Sequence, residues 1–276
     1  MNEVTLMKAS APSRLIMITG AGAGLGEAMA RRFHAAGDRV VVTDQSIERV
    51  SQLADELGDR AMAYALEVTD ASQWQSVVES VEHSHGGIDV LINNAGVAVA
   101  GTLEDTSLDD WRWVMDIDLM GVVMGCKAVA PLMRGRDRGH IINVASFAGL
   151  AGAPEINAYG TAKAAVIAMS EGLRAEFDGT GVSVSVLCPA FVQTRLLESM
   201  RATDDKYHRR VSRWMANSGV SAADVAEAVY RAVERPRFLL LTHRQTRWLW
   251  RLKRHLPRLY HALLLHGARR AKAHKR

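Results

Sequence analysis

Short runs of consecutive apolar residues alternate with longer stretches in which apolar positions recur every three to four residues. Arg14 to Thr19 (RLIMIT), Arg39 to Asp44 (RVVVTD), Ala61 to Leu66, Ile88 to Asn93 (IDVLIN), His140 to Ala145 (HIINVA), Val182 to Leu187 (VSVSVL) and Phe238 to Thr242 (FLLLT) read as strands. Helical patterns fill the gaps: Gly24 to Ala36, Ser46 to Leu57 closed by Gly58, and a segment capped by Asp70 and reaching about His85. Three more follow, a long one from Ser107 to about Met133, another from Asn157 to Phe177, and one capped by Ser221 and reaching about Glu234. Strands that are apolar throughout are buried on both faces. The pattern therefore predicts an α/β fold, a Rossmann-type doubly wound parallel seven-stranded sheet with helices on both faces. In such sheets ligands gather at the carboxyl ends of the strands, so chemistry belongs in the loops after strands one, two, four, five and six.

The 276 residues fit one domain over 1–242, with a lid at about 195–219 that shows no clean period, followed by an extension at 243–276. A hydrophobic share of 48% and a charged share of 23% exclude a disordered chain. Two cysteines, Cys126 and Cys188, lack metal or redox spacing and read as reduced, buried thiols; no metal site is predicted. The stretch before Arg14 is too mixed for a signal peptide, and no run approaches the ~18–20 apolar residues of a spanning helix, so a cytoplasmic protein is expected.

Charge changes the picture at one end. The net charge is +4, yet no acidic residue follows Glu234. Twelve of the 34 Lys and Arg residues lie beyond Arg235, leaving 22 against 30 acidic side chains, a net −8, in the body. The tail places Leu249, Leu252, Leu256, Leu259 and Leu263 at helical spacing among Arg247, Arg251, Lys253, Arg254 and Arg258, and Pro257 should kink the helix or start a new one. Such a helix suits peripheral contact with an anionic membrane surface, or packing on the acidic body or a neighbouring subunit. Nucleic acid is disfavoured, because no binding motif accompanies the charge.

After the first strand comes Thr19-Gly20-Ala21-Gly22-Ala23-Gly24-Leu25-Gly26, with Gly20, Gly24 and Gly26 spaced G-x-x-x-G-x-G. Glycines there permit a tight turn and let backbone amides approach a pyrophosphate at a helix N-terminus. Asp44 ends strand two, 18 residues beyond Gly26. Its carboxylate can accept adenosine ribose hydroxyls and repel a 2′-phosphate, and Ala23 offers no cation, so NAD is favoured over NADP. Asp44 could instead cap the helix from Ser46. Tyr159 and Lys163 stand four residues apart and share one helix face. An ammonium beside a phenol is expected to lower the tyrosine pKa and fit it for proton exchange with an alcohol or carbonyl oxygen. Ser146, at the end of strand five, can hydrogen-bond that same oxygen.

These residues resemble the short-chain dehydrogenase/reductase family, in its compact single-domain branch, over about residues 12 to 242. The glycine loop (Gly20, Gly22, Ala23, Gly24, Leu25, Gly26) matches the family's cofactor turn, and Asn94, Ala95 and Gly96 match its NNAG element. Ser146, thirteen residues before Tyr159, and Tyr159-x-x-x-Lys163 match its catalytic serine and YxxxK. Pro189, Val192 and Thr194 occupy the place of PGxVxT, which implies a hold on the nicotinamide carboxamide. The resemblance also implies a Lys163 bond to the nicotinamide ribose, and homodimers or homotetramers through the two long helices.

Three positions depart from the family pattern. Asp118 stands where the family has an asparagine that holds a relay water; it could still bind a water, pair with Lys163 or become protonated, and so act as a working substitute or lower activity. Glu67 before Val68 replaces the usual aspartate at the adenine edge, with Asp70 as a helix cap. Ala190 replaces a glycine. For the substrate pocket, Phe147, Phe191, Leu196, Leu197 and Met200 are expected to line the walls, suggesting a fairly large apolar substrate. The expected activity is NAD-dependent hydride transfer with a secondary alcohol or ketone. The alternative is an NAD-binding scaffold or membrane-surface sensor with weak catalysis, for which Asp118 and the tail argue.

Overall fold

The structure is a computed structural model and describes residues 13–273; residues 1–12, where the absence of a signal peptide is read, and 274–276 of the tail lie outside it. The first half runs β1 (Leu15–Thr19), α1 (Gly24–Ala35), β2 (Arg39–Asp44), α2 (Ile47–Leu57), β3 (Ala61–Ala65), α3 (Ala71–His85) and β4 (Val90–Asn93). Next come β5 (Val99–Ala100), α4 (Leu108–Met115), a π-helical turn (Asp116–Met120), α5 (Gly121–Gly135), β6 (Gly139–Val144), α6 (Phe147–Ala151), α7 (Asn157–Glu176) and β7 (Val182–Leu187). The chain ends with α8 (Leu196–Ser199), β8 (Arg201–Ala202), α9 (Asp205–Ala216), α10 (Ala222–Glu234), β9 (Leu239–Leu240), α11 (Arg244–His255) and α12 (Pro257–Ala273).

Seven parallel strands form one sheet in the order β3-β2-β1-β4-β6-β7-β9. Alternate strand residues serve opposite cores, as the two-residue repeat of a strand requires. Leu15, Met17, Val41, Leu91 and Ile141 pack with Trp74 and Val77 of α3, Val122 and Cys126 of α5 and Val166 of α7. Ile16, Ile18, Val40, Val42 and Ile142 pack with Met29 and Phe33 of α1, Val50 of α2 and Val229 of α10. Burying both faces explains why the strands read as unbroken apolar runs. The direction of winding reverses between β1 and β4, so the crevice beyond their carboxyl ends is the switch point where ligands sit.

Three segments depart from the sequence expectation, and the tail follows one of its two alternatives. The long helix from Ser107 is interrupted by the π turn around Asp118. Ser146 opens a five-residue helix, α6, too short to show a period. The lid is ordered as α8, β8 and α9, with β8 pairing in parallel with β5 and docking the lid on the loop after β4. Tyr207, Val211 and Met215 at four-residue spacing, with Asp204 capping, were the sign of α9, masked by the surrounding arginines. The tail is two helices, and Pro257 begins the second, where its missing N–H costs nothing.

Candidate active site

The turn between β1 and α1 is shaped by what a side chain would strike. A Cβ on Gly20 (φ +62) would lie 2.8 Å from the Ala95 Cα, and one on Gly26 would lie 2.3 Å from the Gly20 carbonyl. Glycine alone lets α1 close on the turn. Ala23 caps α1 without a side-chain bond, leaving the first amides of a twelve-residue helix open to an anion. Thr19 Oγ1 accepts from the amides of Asn94 (2.9 Å) and Ala95 (3.0 Å), and Asn94 Nδ2 donates to the carbonyls of Thr19 (2.9 Å) and Gly20 (3.1 Å). Asp44 accepts from the amides of Gly22 (3.2 Å) and Ser46 (3.1 Å), so it braces the glycine turn as well as the start of α2. Asp70 caps α3 through the amides of Ser72 and Gln73, as expected. Glu67 accepts from the Thr69 hydroxyl at 2.9 Å.

Beyond the ends of β6 and α7 lies a compact polar group. Ser146 is the N-cap of α6, its Oγ accepting from the Ala148 amide at 3.1 Å. Lys163 Nζ donates to the Val144 carbonyl at 3.1 Å, lies 3.2 Å from Asp118 Oδ2 and stands 5.9 Å from the centre of the Tyr159 ring. Both members of the pair are buried, Asp118 at 0% exposure and Lys163 at 4%. Asp118 Oδ1 accepts from the Val97 amide at 2.7 Å; Oδ2 meets Nζ as an ion pair, without the alignment of a hydrogen bond. The structure pairs Asp118 with Lys163.

The electrostatics correct one expectation. Burial is the largest influence on Tyr159 and raises its pKa; Asp118 raises it further, while Lys163 and the hydrogen bond with Ser146 pull it down. The balance lies above the ordinary 10, not below it. Burial opposes the Lys163 ammonium, but Asp118 and Tyr159 more than offset that and hold its pKa above the ordinary lysine value. For Asp118, burial pushes the pKa up against the lowering effects of Lys163 and the Val97 amide. Cys188, which neighbours Lys163, and Cys126 are buried free thiols pushed up to about 12 by burial.

The glycine turn, Asp44 and the polar group of Ser146, Tyr159 and Lys163 border one cleft of about 530 Å³. Gly20, Ala23, Gly24, Leu25, Asp44, Glu67, Val68, Asn94, Ala95 and Gly96 line one stretch, and Ser146, Tyr159, Lys163, Pro189, Val192 and Thr194 the other. Gly22 and Gly26 shape the turn from behind. Asp118 is held under Gly96, where a Cβ would lie 3.1 Å from its Oδ1. The glycine cradle, the open helix end and the unbroken path from Asp44 to Tyr159 fit an extended dinucleotide. Sequence reading missed Arg49, which shares the corner with Asp44, while Met215 of the lid is brought into the cleft by α9. Of the expected substrate-pocket residues, Leu196 lines the cleft. Met200 and Leu197 instead pack with Tyr207 in a lid core against which Leu196 and Tyr159 also pack. Phe191 stacks on Trp214 with ring centres 4.9 Å apart, and Phe147 is bound through its amide to the Pro189 carbonyl. A second cleft, about 730 Å³, lies between α10, β9 and α11 and contains none of the residues that line the first.

Fold and site together define a dinucleotide-binding α/β protein with a serine, a tyrosine and a lysine at the end of its cofactor cleft. Residues 14–205 match the family profile described as short chain dehydrogenase. A meso-2,3-butanediol dehydrogenase of Serratia marcescens is 38% identical over 202 residues, covering 72% of this chain and 80% of the relative. A short-chain dehydrogenase/reductase from Burkholderia phymatum, solved with NAD, superposes with a TM-score of 0.84 at 30% identity, over 90% of this chain and 95% of that one. A serine dehydrogenase in closed form with NADP+ gives a TM-score of 0.77 at 33% identity, over 82% and 93% of the two chains. The chain belongs to the short-chain dehydrogenase/reductase family, and it is an oxidoreductase of that NAD(P)-binding type.

Proposed function

We propose that the protein is an NAD-dependent oxidoreductase that interconverts a secondary alcohol and its ketone. The observation that carries this reading is the convergence of Ser146, Tyr159 and Lys163 on one end of a cleft whose other end holds Asp44. In the bound complex Gly20 to Gly26 and the α1 amides would hold the pyrophosphate, and Asp44 the adenosine ribose. Glu67 and Val68 would meet the adenine edge, and Asn94, Ala95 and Gly96 would form the floor. Lys163 would hold the nicotinamide ribose, and Pro189, Val192 and Thr194 the carboxamide. The nicotinamide supplies the hydride acceptor or donor. Ser146 donates a hydrogen bond to the substrate oxygen and fixes it against Tyr159. Tyr159 takes the hydroxyl proton during oxidation and returns it during reduction. Lys163, kept charged by Asp118, favours the phenolate, and any further cation bound beside the phenol acts in the same direction.

Leu196 and Met215 border the cleft, which favours a substrate with an apolar flank. With Leu197 and Met200 engaged in the lid core, the pocket supports a smaller substrate than the sequence suggests, in keeping with the butanediol activity named for the Serratia relative. The exposed Leu108 and Met120 on the outer side of the α4–α5 helix support self-association there. The test is absorbance of reduced cofactor with a panel from 2,3-butanediol to hydroxysteroids. Tyr159→Phe should lose about 10²–10⁴-fold in kcat while binding NAD as the parent does. Undiminished turnover by Tyr159→Phe would overturn the mechanism.

A further inference from the structure

The C-terminal helices carry a face that hydride transfer does not use. α11 rests on the body through the buried Thr246 and Leu252, and Tyr260 of α12 is buried as well. Trp248, Leu256, Leu259 and Leu263 remain exposed, at 59, 56, 49 and 49%. With Leu265 they make five of the eleven large apolar side chains exposed among the described residues. Leu259 and Leu263 are four apart on α12 and share a face. Arg244, Arg247, Arg251, Arg254 and Arg258, all exposed, are interleaved with them. Beside α11 the 730 Å³ cleft is lined by Arg231, Arg235, Arg237, Arg247 and Arg251 over Leu239 and Trp250, with one carboxylate, Glu234, which pairs with Arg14. No acidic side chain lies anywhere beyond Glu234 to neutralise this surface from within the tail.

We propose that α11 and α12 form a docking surface for an anionic lipid bilayer. Exposed leucines and a tryptophan among arginines, on helices too short and too polar to span, are the pattern of a helix lying in a membrane interface. No described helix is long and apolar enough to cross a membrane, so contact is confined to the surface. The apolar side chains enter the headgroup boundary, and the arginines, including those of the cleft, meet lipid phosphates. A second copy is a poorer occupant, because a two-fold contact sets the same patch against itself and brings like charges together. Nucleic acid would satisfy the arginines and leave the leucines unexplained.

The test is flotation of the full chain with vesicles of phosphatidylglycerol and phosphatidylcholine, against phosphatidylcholine alone. The protein should float with the anionic vesicles at about 0.1 M NaCl and lose about tenfold or more in partition at about 0.5 M, as screening removes the attraction. Leu259→Ser with Leu263→Ser, and separately Arg247→Gln with Arg251→Gln, should each weaken partition about tenfold, with parental Tm and NAD binding. Three results overturn the proposal. One is absence of binding to anionic vesicles at low salt. Another is parental binding by both double variants. The third is light scattering in which the leucine variant alone reduces the mass of the lipid-free protein, which assigns the face to a second copy.

Discussion

Asp118 sets the charge balance of the site. An asparagine in its place keeps an oxygen for the Val97 amide, now bonded at 2.7 Å, but removes the carboxylate paired with Lys163. The same charge raises the Tyr159 pKa. Asp118→Asn should therefore move the rising limb of the oxidative pH–kcat/KM profile to lower pH, with turnover at neutral pH equal to or above the parent's. A limb displaced to higher pH, or a large loss of turnover, would show that Lys163 depends on the carboxylate more than Tyr159 suffers from it. Asp44 governs the other end of the cleft. It is braced by the Gly22 and Ser46 amides and would meet a 2′-phosphate directly, while Arg49 lines the same corner. Asp44→Ala should raise the NADP-to-NAD ratio of kcat/KM by about tenfold or more, as expected when a repulsive charge is lost beside a cation. An unchanged ratio would remove Asp44 as the discriminator.

At the level of elements, the short helix α6 joins the site to the tail. Ser146 caps its start, while the carbonyls of Leu150 and Ala151 at its end accept from Lys253 Nζ (2.5 Å) and Tyr260 OH (2.8 Å). The extension thus holds the helix from which the serine projects. Replacing Lys253 by Met and Tyr260 by Phe together should lower kcat about three- to tenfold through looser serine placement, with NAD affinity unchanged. Equal losses in cofactor affinity would point to general unfolding instead. The α1 turn gives a sharper case. Gly26→Ala would press a Cβ into the Gly20 carbonyl at 2.3 Å, and relieving that contact displaces α1 from the sheet. Destabilisation of about 1–3 kcal/mol and loss of NAD binding are expected, measured by denaturant midpoint and cofactor titration. The π turn belongs to this scale too: it interrupts the long helix where Asp118 must turn wholly inward, and π turns gather at functional sites.

Across the whole molecule, burial converts local chemistry into pH behaviour. His140 on β6 lies against the Ser185 hydroxyl (2.8 Å), and burial pushes its pKa down to about 4 from the ordinary 6.5. As pH falls below 6.5 the unfolded chain takes up a proton that the folded chain refuses until about 4. Stability should decline over that window by up to about 3 kcal/mol, and Tm against pH should flatten in His140→Asn. An identical pH slope in the variant would assign the decline to other groups. The parallel sheet and its helices were legible in the sequence because strand and helix periods are local, and burial of both sheet faces leaves unbroken apolar runs. Tyr159, Lys163 and the glycine turn were legible for the same reason, since one helix face or one tight turn holds each motif, whereas Ser146, on another element, was legible through its place after a buried strand and its spacing from Tyr159. Tertiary structure alone decided the rest. It paired Asp118 with Lys163, raised the Tyr159 pKa through burial, brought Arg49 to Asp44, moved Leu197 and Met200 into a lid core, and set the tail against α6. Apart from the Arg49–Asp44 corner, which the β2–α2 turn sets locally, each of these depends on which distant segments meet and how much water they exclude, and no spacing along a single chain encodes that.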